Sequence, residues 1–231
     1  MIARLLCLAY WCVSALAGLA ATVYLVGFVA NTRVPATIDL GFNAYLPFRE
    51  ALLADIPLLL LFGLQHSLLA RRFVKDRVPA HWLRSTYLLT TGVALFYLFR
   101  KWEPMPDLVW QIRGEIARMA VNGLFLAGVA LVLWSVAAIG AADFLGLRAV
   151  LANLRRRPYL PPPFRTPGPY RFARHPMMVG TMLVLWSTPE MSRGHLLFAV
   201  FLLGYTLVAL WFEEADLLAE HGDVHRSGFR L

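Results

Sequence analysis

Charged residues are scarce in this chain, and cysteine is nearly absent. Only 16% of its 231 residues are Asp, Glu, Lys or Arg, whereas 59% are hydrophobic. An average soluble domain carries about 25% charged residues, so this composition excludes an ordinary soluble globule. The two cysteines, Cys7 and Cys12, show neither a disulfide framework nor a zinc-ligand spacing. The apolar residues form long blocks rather than alternating, which argues against an outer-membrane barrel and favours membrane helices.

Six apolar segments predict the fold class, which is an all-α integral membrane protein with about five to six transmembrane helices. A span needs about 20 residues, and two of the segments are shorter than that. A tight turn at 189–194 joins the last two segments and predicts a C-terminal helical hairpin. We interpret residues 1–231 as a single transmembrane domain. The segments cover 4–30, 47–70, 85–99, 116–147, 176–188 and 195–212.

Basic residues are unevenly distributed between the loops. The loop 148–174 carries seven arginines, and the loop 71–84 carries five basic residues. By the positive-inside rule, both loops and both termini are predicted to face the cytoplasm. The net charge of +8 therefore indicates contact with lipid headgroups rather than with nucleic acid. Since loop 148–174 is also rich in proline, we predict either a semi-rigid linker or a border of the substrate or cofactor site.

The segment 168–180, with the sequence GPYRFARHPMMVG, opens the predicted hairpin. Pro176 suits the first turn of a helix, which places Arg174 and His175 just before the exposed N–H groups. A helix start with adjacent cations suits a carboxylate or another anion. The alternative is that Arg174 and His175 anchor the helix among the headgroups.

Two adjacent glutamates, Glu213 and Glu214, end the last apolar segment. Acidic side chains are unfavourable beside lipid and at the negative end of a helix dipole. A cationic partner, such as Arg174, Arg171 or a positively charged ligand, would relieve both penalties. The alternative is that both glutamates are solvated.

These motifs resemble the signature of the integral-membrane methyltransferases, which include isoprenylcysteine carboxyl methyltransferase and phospholipid N-methyltransferases. The matching features are Arg-His-Pro at 174–176, the glycine four residues later, and the glutamate pair after the hairpin. A closer resemblance, to the bacterial methanethiol S-methyltransferases, extends over almost the whole chain. Short matching segments in the same order carry it, including 26–31, 64–67, 84–87, 102–106 and 188–199.

The resemblance implies S-adenosylmethionine as the methyl donor and a small thiol, methanethiol, as the acceptor, with no metal. It also implies a bacterial inner-membrane location and a cofactor-binding hairpin at 175–214. The implied cofactor-binding residues are Tyr170, Arg174, His175, Pro176, Gly180, Glu213 and Glu214. One alternative keeps the enzyme class but takes an isoprenylcysteine carboxylate or a lipid amine as acceptor. Another is a non-enzymatic membrane protein on the same scaffold.

The candidate catalytic base is His66, inside the second apolar segment. An ionisable residue within a membrane span is a functional-site hypothesis by default, and a thiol reacts as its thiolate. The alternative is a structural histidine that is hydrogen-bonded to Gln65, Ser67 or another helix. Arg84 and Tyr87, at the start of the third segment, are further candidates.

Two aspartates are predicted to have structural partners. Asp55 precedes His66 by about three helical turns, and we expect it near Arg33 or Arg49 at the other end of the span. Asp143 lies near the end of the fourth segment, and we expect it to pair with Arg148; the alternative is that it borders the active site.

Overall fold

The described chain is predominantly helical, which confirms the predicted fold class. A computed structural model describes the backbone of residues 1–42, 45–71, 74, 76–163 and 165–227, and their side chains except those of 70 and 213–227. Two short strands, β1 (Leu108–Gln111) and β2 (Glu190–Ser192), pair with each other, and a 3₁₀ turn covers Gly168–Arg171. The helices are α1 (Ile2–Val29), α2 (Phe48–Ala70), α3 (Ala80–Lys101), α4 (Glu115–Ile139), α5 (Ala141–Phe144), α6 (Leu147–Leu154), α7 (Pro176–Trp186) and α8 (Arg193–Ser227).

Four of the described helices are long and apolar enough to cross a membrane, and α7 is a shorter apolar helix of 11 residues. Large aliphatic side chains on these helices are strongly exposed, for example Leu16 at 69%, Leu53 at 72% and Leu126 at 65%. Such faces would be unfavourable in water and suit a lipid environment. The chain is therefore a membrane protein. Its candidate spans are Ile2–Val29, Phe48–Leu69, Glu115–Ile139 and Arg193–Phe212.

Residue contacts divide the chain into two compact units. In the first unit, α3 packs against both α1 and α2, while α6 packs against α1 and α3. In the second unit, α4 packs along α7 and also contacts the 3₁₀ turn. The first unit comprises Met1–Asp107, Gly140–Pro162 and Ser192–His195, and the second comprises Leu108–Ile139, Pro163–Met191 and Leu196–Leu231.

Aromatic side chains fill one end of the first unit. The Phe99 ring stacks on Tyr24 with centroids 4.7 Å apart, and it also lies 5.0 Å from the ring of Phe28. Trp102 is fully buried, and its indole N–H donates to the carbonyl oxygen of Ile38 at 3.0 Å. Because a buried indole N–H needs an acceptor, this bond fixes the chain after α1 against the end of α3.

Asp55 belongs to the same buried end of the unit. It is fully buried, and its Oδ1 accepts a hydrogen bond of 3.0 Å from the backbone N–H of Glu103. The described contacts of Asp55 include no ion pair with Arg33 or Arg49, the residues that the sequence placed near it. The carboxylate points inward to the segment that follows α3, where a backbone donor replaces the expected guanidinium.

The fourth helix ends earlier than predicted. Segment 116–147 was expected to be one helix, but α4 ends at Ile139. Gly140 has a φ of +95°, and Gly146 has a φ of +79°. Because residues with side chains rarely adopt such angles, these two glycines allow the chain to turn on both sides of the short helix α5. Helix α6 then forms the first part of loop 148–174, ahead of its prolines.

Candidate active site

The imidazole of His66 lies beside two hydroxyl groups of α3. The Tyr87 hydroxyl is 3.1 Å from Nδ1 and is also close to Nε2, and the Thr91 hydroxyl is 3.4 Å from Nδ1. Tyr87 and Thr91 face His66 together because residues four apart share one side of a helix. A neutral imidazole can donate its N–H to one hydroxyl oxygen and keep the other nitrogen ready to accept a proton.

A guanidinium group lies on the other side of Tyr87. The Cζ atom of Arg84 is 5.4 Å from the centroid of the Tyr87 ring and 4.9 Å from that of Phe144. Its Nε donates to the carbonyl oxygen of Phe144. Two aromatic faces and a carbonyl therefore hold this cation in place one turn before Tyr87. The structure thus brings together His66, Tyr87 and Arg84, which the sequence offered as separate candidates.

The turn between α5 and α6 is shaped to accept Arg84. A Cβ atom added to Gly146 would lie 2.6 Å from Cβ of Arg84, which is closer than two carbon atoms can approach. Only glycine therefore combines this contact with the φ of +79°. The turn also receives a hydrogen bond of 2.8 Å from the indole of Trp11 to the carbonyl oxygen of Leu145.

Asp143 connects this turn to the proline-rich loop. Its Oδ2 pairs with Nη1 of Arg148 at 2.8 Å, which confirms the predicted ion pair. Its Oδ1 accepts a hydrogen bond of 3.3 Å from the Tyr159 hydroxyl. Burial and the neighbouring Asp143 carboxylate raise the pKa of Tyr159, so its phenol stays protonated and acts as a donor. The loop is therefore attached to the turn that contacts Arg84.

The Arg-His-Pro motif lies in the second unit, at the start of α7. Pro176 is buried and occupies the first turn of the helix, as predicted, and His175 is its N-terminal flanking residue. Arg174 is exposed, whereas His175 and Tyr170 are partly buried. An exposed guanidinium just before a helix N-terminus is a suitable place for a carboxylate. The binding roles of these four residues remain predictions.

Gly180 has a packing contact that the sequence did not reveal. A Cβ atom added to Gly180 would lie 2.8 Å from the carbonyl oxygen of Gly128 on α4, and one added to Gly128 would lie 2.8 Å from the carbonyl oxygen of Gly180. Small residues let two membrane helices approach closely, so this pair determines the contact between α4 and α7. A cofactor contact of Gly180 stays a prediction. Glu213 and Glu214 lie on α8, but their side chains are outside the described part of the chain.

Comparison with known proteins gives the family. The chain is 41% identical over 227 residues to a methanethiol S-methyltransferase of Mycobacterium tuberculosis, covering 96% of this chain and 92% of the relative. It is 40% identical over 230 residues to methanethiol S-methyltransferase 2 of Bradyrhizobium diazoefficiens, covering 98% and 88%. The chain belongs to the methanethiol S-methyltransferase family. A member from Crocosphaera subtropica is 38% identical over 209 residues, covering 89% and 81%.

No family model and no solved structure matches the chain. Membership of the methanethiol S-methyltransferase family confirms the resemblance seen in the sequence. It leaves the individual site residues to be tested. His66 was a candidate from its place inside an apolar segment, and Arg84 and Tyr87 from the start of the next one, whereas Gly146 and Gly128 were not foreseen. Gly140 and Gly146, six residues apart in an apolar stretch, were the available signal for a helix break.

Proposed function

We propose that the chain transfers a methyl group from S-adenosylmethionine to a small thiol, with methanethiol as the substrate and dimethyl sulfide as the product. The observation that carries this proposal is the similarity to methanethiol S-methyltransferases over 96% of the chain at 41% identity. S-adenosylmethionine supplies a methyl group activated by a sulfonium sulfur.

The segment from the 3₁₀ turn into α7 is proposed to hold the methyl donor. The exposed guanidinium of Arg174 fits the methionyl carboxylate through a charge-assisted hydrogen bond. His175 and Tyr170 are proposed to contact the same ligand, and Pro176 to fix the start of the helix beneath it. Glu213 and Glu214 are proposed to bind the methionyl ammonium group.

The cluster around His66 is proposed to prepare the acceptor. A thiol must lose its proton to become the reactive thiolate. His66 is proposed to accept this proton at a ring nitrogen, and the Tyr87 hydroxyl to hold the ring in position. The proton moves from sulfur to the imidazole, and the positive charge of Arg84 favours the thiolate that remains.

We also infer that the protein lies in a bacterial inner membrane with both termini in the cytoplasm. The support is the excess of basic residues in the loops 71–84 and 148–174. This orientation would give the Arg-His-Pro motif access to cytoplasmic S-adenosylmethionine.

The test is the product formed by the purified protein in detergent. We expect methylation of methanethiol, measured as dimethyl sulfide by headspace gas chromatography, to require S-adenosylmethionine. An isoprenylcysteine analogue and phosphatidylethanolamine, supplied separately, should remain unmodified. Methylation of either of these in place of the thiol would reject methanethiol as the substrate. A protein that binds S-adenosylmethionine and methylates none of the three would contradict the proposed reaction.

A further inference from the structure

An open cavity of about 260 Å³ lies on the first unit, between α6 and the residues 155–160 that follow it. Three arginines line it, namely Arg148, Arg155 and Arg157. All three are exposed. The cavity is therefore a concave surface with a concentration of positive charge, which suits an anionic ligand.

Two of the three arginines have no ionic partner among the side chains that the structure describes. Arg148 pairs with Asp143 at 2.8 Å. Neither Arg155 nor Arg157 forms an ion pair with any side chain that the structure describes. Planar guanidinium groups match phosphate oxygens in geometry as well as charge, and therefore bind phosphate esters better than a diffuse positive field does.

Part of the cavity lining is apolar. Leu160, which also lines the cavity, is 77% exposed, and Pro158 lies between it and the arginines in sequence. On the other face of α6, Ala149 and Val150 are buried against the unit. A short amphipathic helix that is followed by arginines and an exposed leucine is typical of a segment at the membrane interface.

We propose that this cavity binds the phosphate group of an anionic phospholipid. Arg155 and Arg157 contact the phosphate oxygens, while Leu160 contacts the acyl chains near the glycerol. A lipid fits better than a free phosphate because the site joins an anion-binding surface to an exposed apolar side chain in a membrane protein. The site would tie the proline-rich loop, and with it Tyr159, to the membrane surface.

The experiment measures lipid binding to the intact protein in detergent by native mass spectrometry. The probes are dioctanoyl phosphatidylglycerol and dioctanoyl phosphatidylcholine, which share acyl chains and differ in net charge. We expect one site that prefers phosphatidylglycerol. Since each basic residue near an anionic surface contributes about fivefold, the double variant Arg155→Gln, Arg157→Gln should bind phosphatidylglycerol about 30-fold more weakly.

The control variant carries the same change of charge elsewhere. Arg49 and Arg113 are exposed and do not line the cavity, so Arg49→Gln, Arg113→Gln should leave the affinity within about twofold. Leu160→Ser should weaken the binding of both lipids, and the site should still prefer phosphatidylglycerol. An equal loss of affinity for phosphatidylglycerol in both double variants would mean that net charge alone attracts the lipid. That result would overturn the proposal. Full displacement of the lipid by inorganic phosphate at an equal concentration would also overturn it, because the site would then bind a free anion.

Discussion

The hydroxyl of Tyr87 lies 3.1 Å from Nδ1 of His66. The centroid of the Tyr87 ring is 5.4 Å from Cζ of Arg84. One side chain on α3 therefore contacts both the candidate base and the guanidinium group of Arg84. This arrangement predicts that Tyr87 acts through His66, as a positioning residue, and that His66 acts on the proton of the thiol.

Removing the imidazole or its hydroxyl partner should slow the reaction to different extents. General-base assistance is worth about 10²–10⁴-fold, so His66→Ala should lower kcat by that range. A hydrogen bond contributes about 1 kcal/mol, so Tyr87→Phe should lower kcat about fivefold. Binding of S-adenosylmethionine, measured by calorimetry, should change little in either variant. Initial rates of dimethyl sulfide formation from pH 6 to 10 provide the measurement.

High pH should partly rescue His66→Ala, because the solution then supplies more thiolate without a base. Tyr97→Phe is the matched control, since Tyr97 lies on the same helix and is 47% exposed. It should keep the wild-type rate. A uniform loss of activity at every pH, together with loss of monodisperse protein, would instead assign His66 a structural role.

The turn that covers Arg84 should tolerate only glycine at position 146. Gly146→Ala combines a strained φ of +79° with a Cβ atom 2.6 Å from Cβ of Arg84. Strain of this kind costs about 1–3 kcal/mol, and we expect a lower Tm together with a lower kcat. Gly114→Ala is the control, because its nearest neighbour would be 3.9 Å away. Differential scanning fluorimetry in detergent compares the two, and an unchanged Tm for Gly146→Ala would contradict the described turn.

The apolar blocks predicted most of the helices because a membrane span requires a long run of apolar residues whatever its neighbours are. The end of α4 could not be placed in this way. Residues 141 to 147 are mostly apolar apart from Asp143 and Gly146, and a single glycine is tolerated inside a helix. The pair Gly140 and Gly146 hints at a break, but the sequence does not show which glycine adopts a positive φ and ends the helix.

The sequence predicted the partners of some polar residues but not of others. Asp143 and Arg148 are five residues apart, so their ion pair was accessible from the sequence. The hydrogen bond from the backbone N–H of Glu103 to Asp55, by contrast, joins residues that are 48 positions apart in the sequence. A contact of that range depends on how α2 packs against α3. For the same reason, the contact between Gly128 and Gly180 was not foreseen.

The contact between Gly128 and Gly180 allows a test of whether Gly180 acts in helix packing or in cofactor binding. Gly180→Ala would place a Cβ atom 2.8 Å from the carbonyl oxygen of Gly128. Overpacking costs about 1–3 kcal/mol, so the Tm should fall even without S-adenosylmethionine. Gly123→Ala is the control, because its Cβ would meet nothing within 4 Å. A Tm unchanged in the absence of S-adenosylmethionine, with weaker binding of that cofactor, would show that Gly180 acts through the ligand.

Strand β2, which precedes α8, should make a small pH-dependent contribution to stability. Hydrogen bonds from Arg118, at 2.9 Å, and from Gln111 hold the pKa of Glu190 below its usual range. The stabilisation from the ionised carboxylate is therefore present above about pH 5 and is lost as the pH falls through the lowered pKa. The Tm difference between the wild type and Glu190→Gln should be largest near pH 7 and vanish in strong acid.

Both partners of this ion pair are partly exposed, with side-chain exposures of 39% and 43%. The Tm difference should therefore also shrink in high salt. Glu50→Gln, at an exposed acidic position, should show no such dependence. A Tm difference that increased toward acid pH would contradict the role of the ionised carboxylate.

The proposed orientation can be tested at the two ends of α4. Arg113 precedes this helix and Arg165 lies in the loop beyond its other end, so a span across α4 would put them on opposite sides. Both positions are exposed. In a Cys7→Ala, Cys12→Ala background, Arg165→Cys should resist an impermeant maleimide in spheroplasts and react after permeabilisation. Arg113→Cys should react in both states, because the basic loop 148–174 keeps its own end of α4 in the cytoplasm. Labelling of Arg165→Cys in sealed spheroplasts, with Arg113→Cys protected, would reverse the topology.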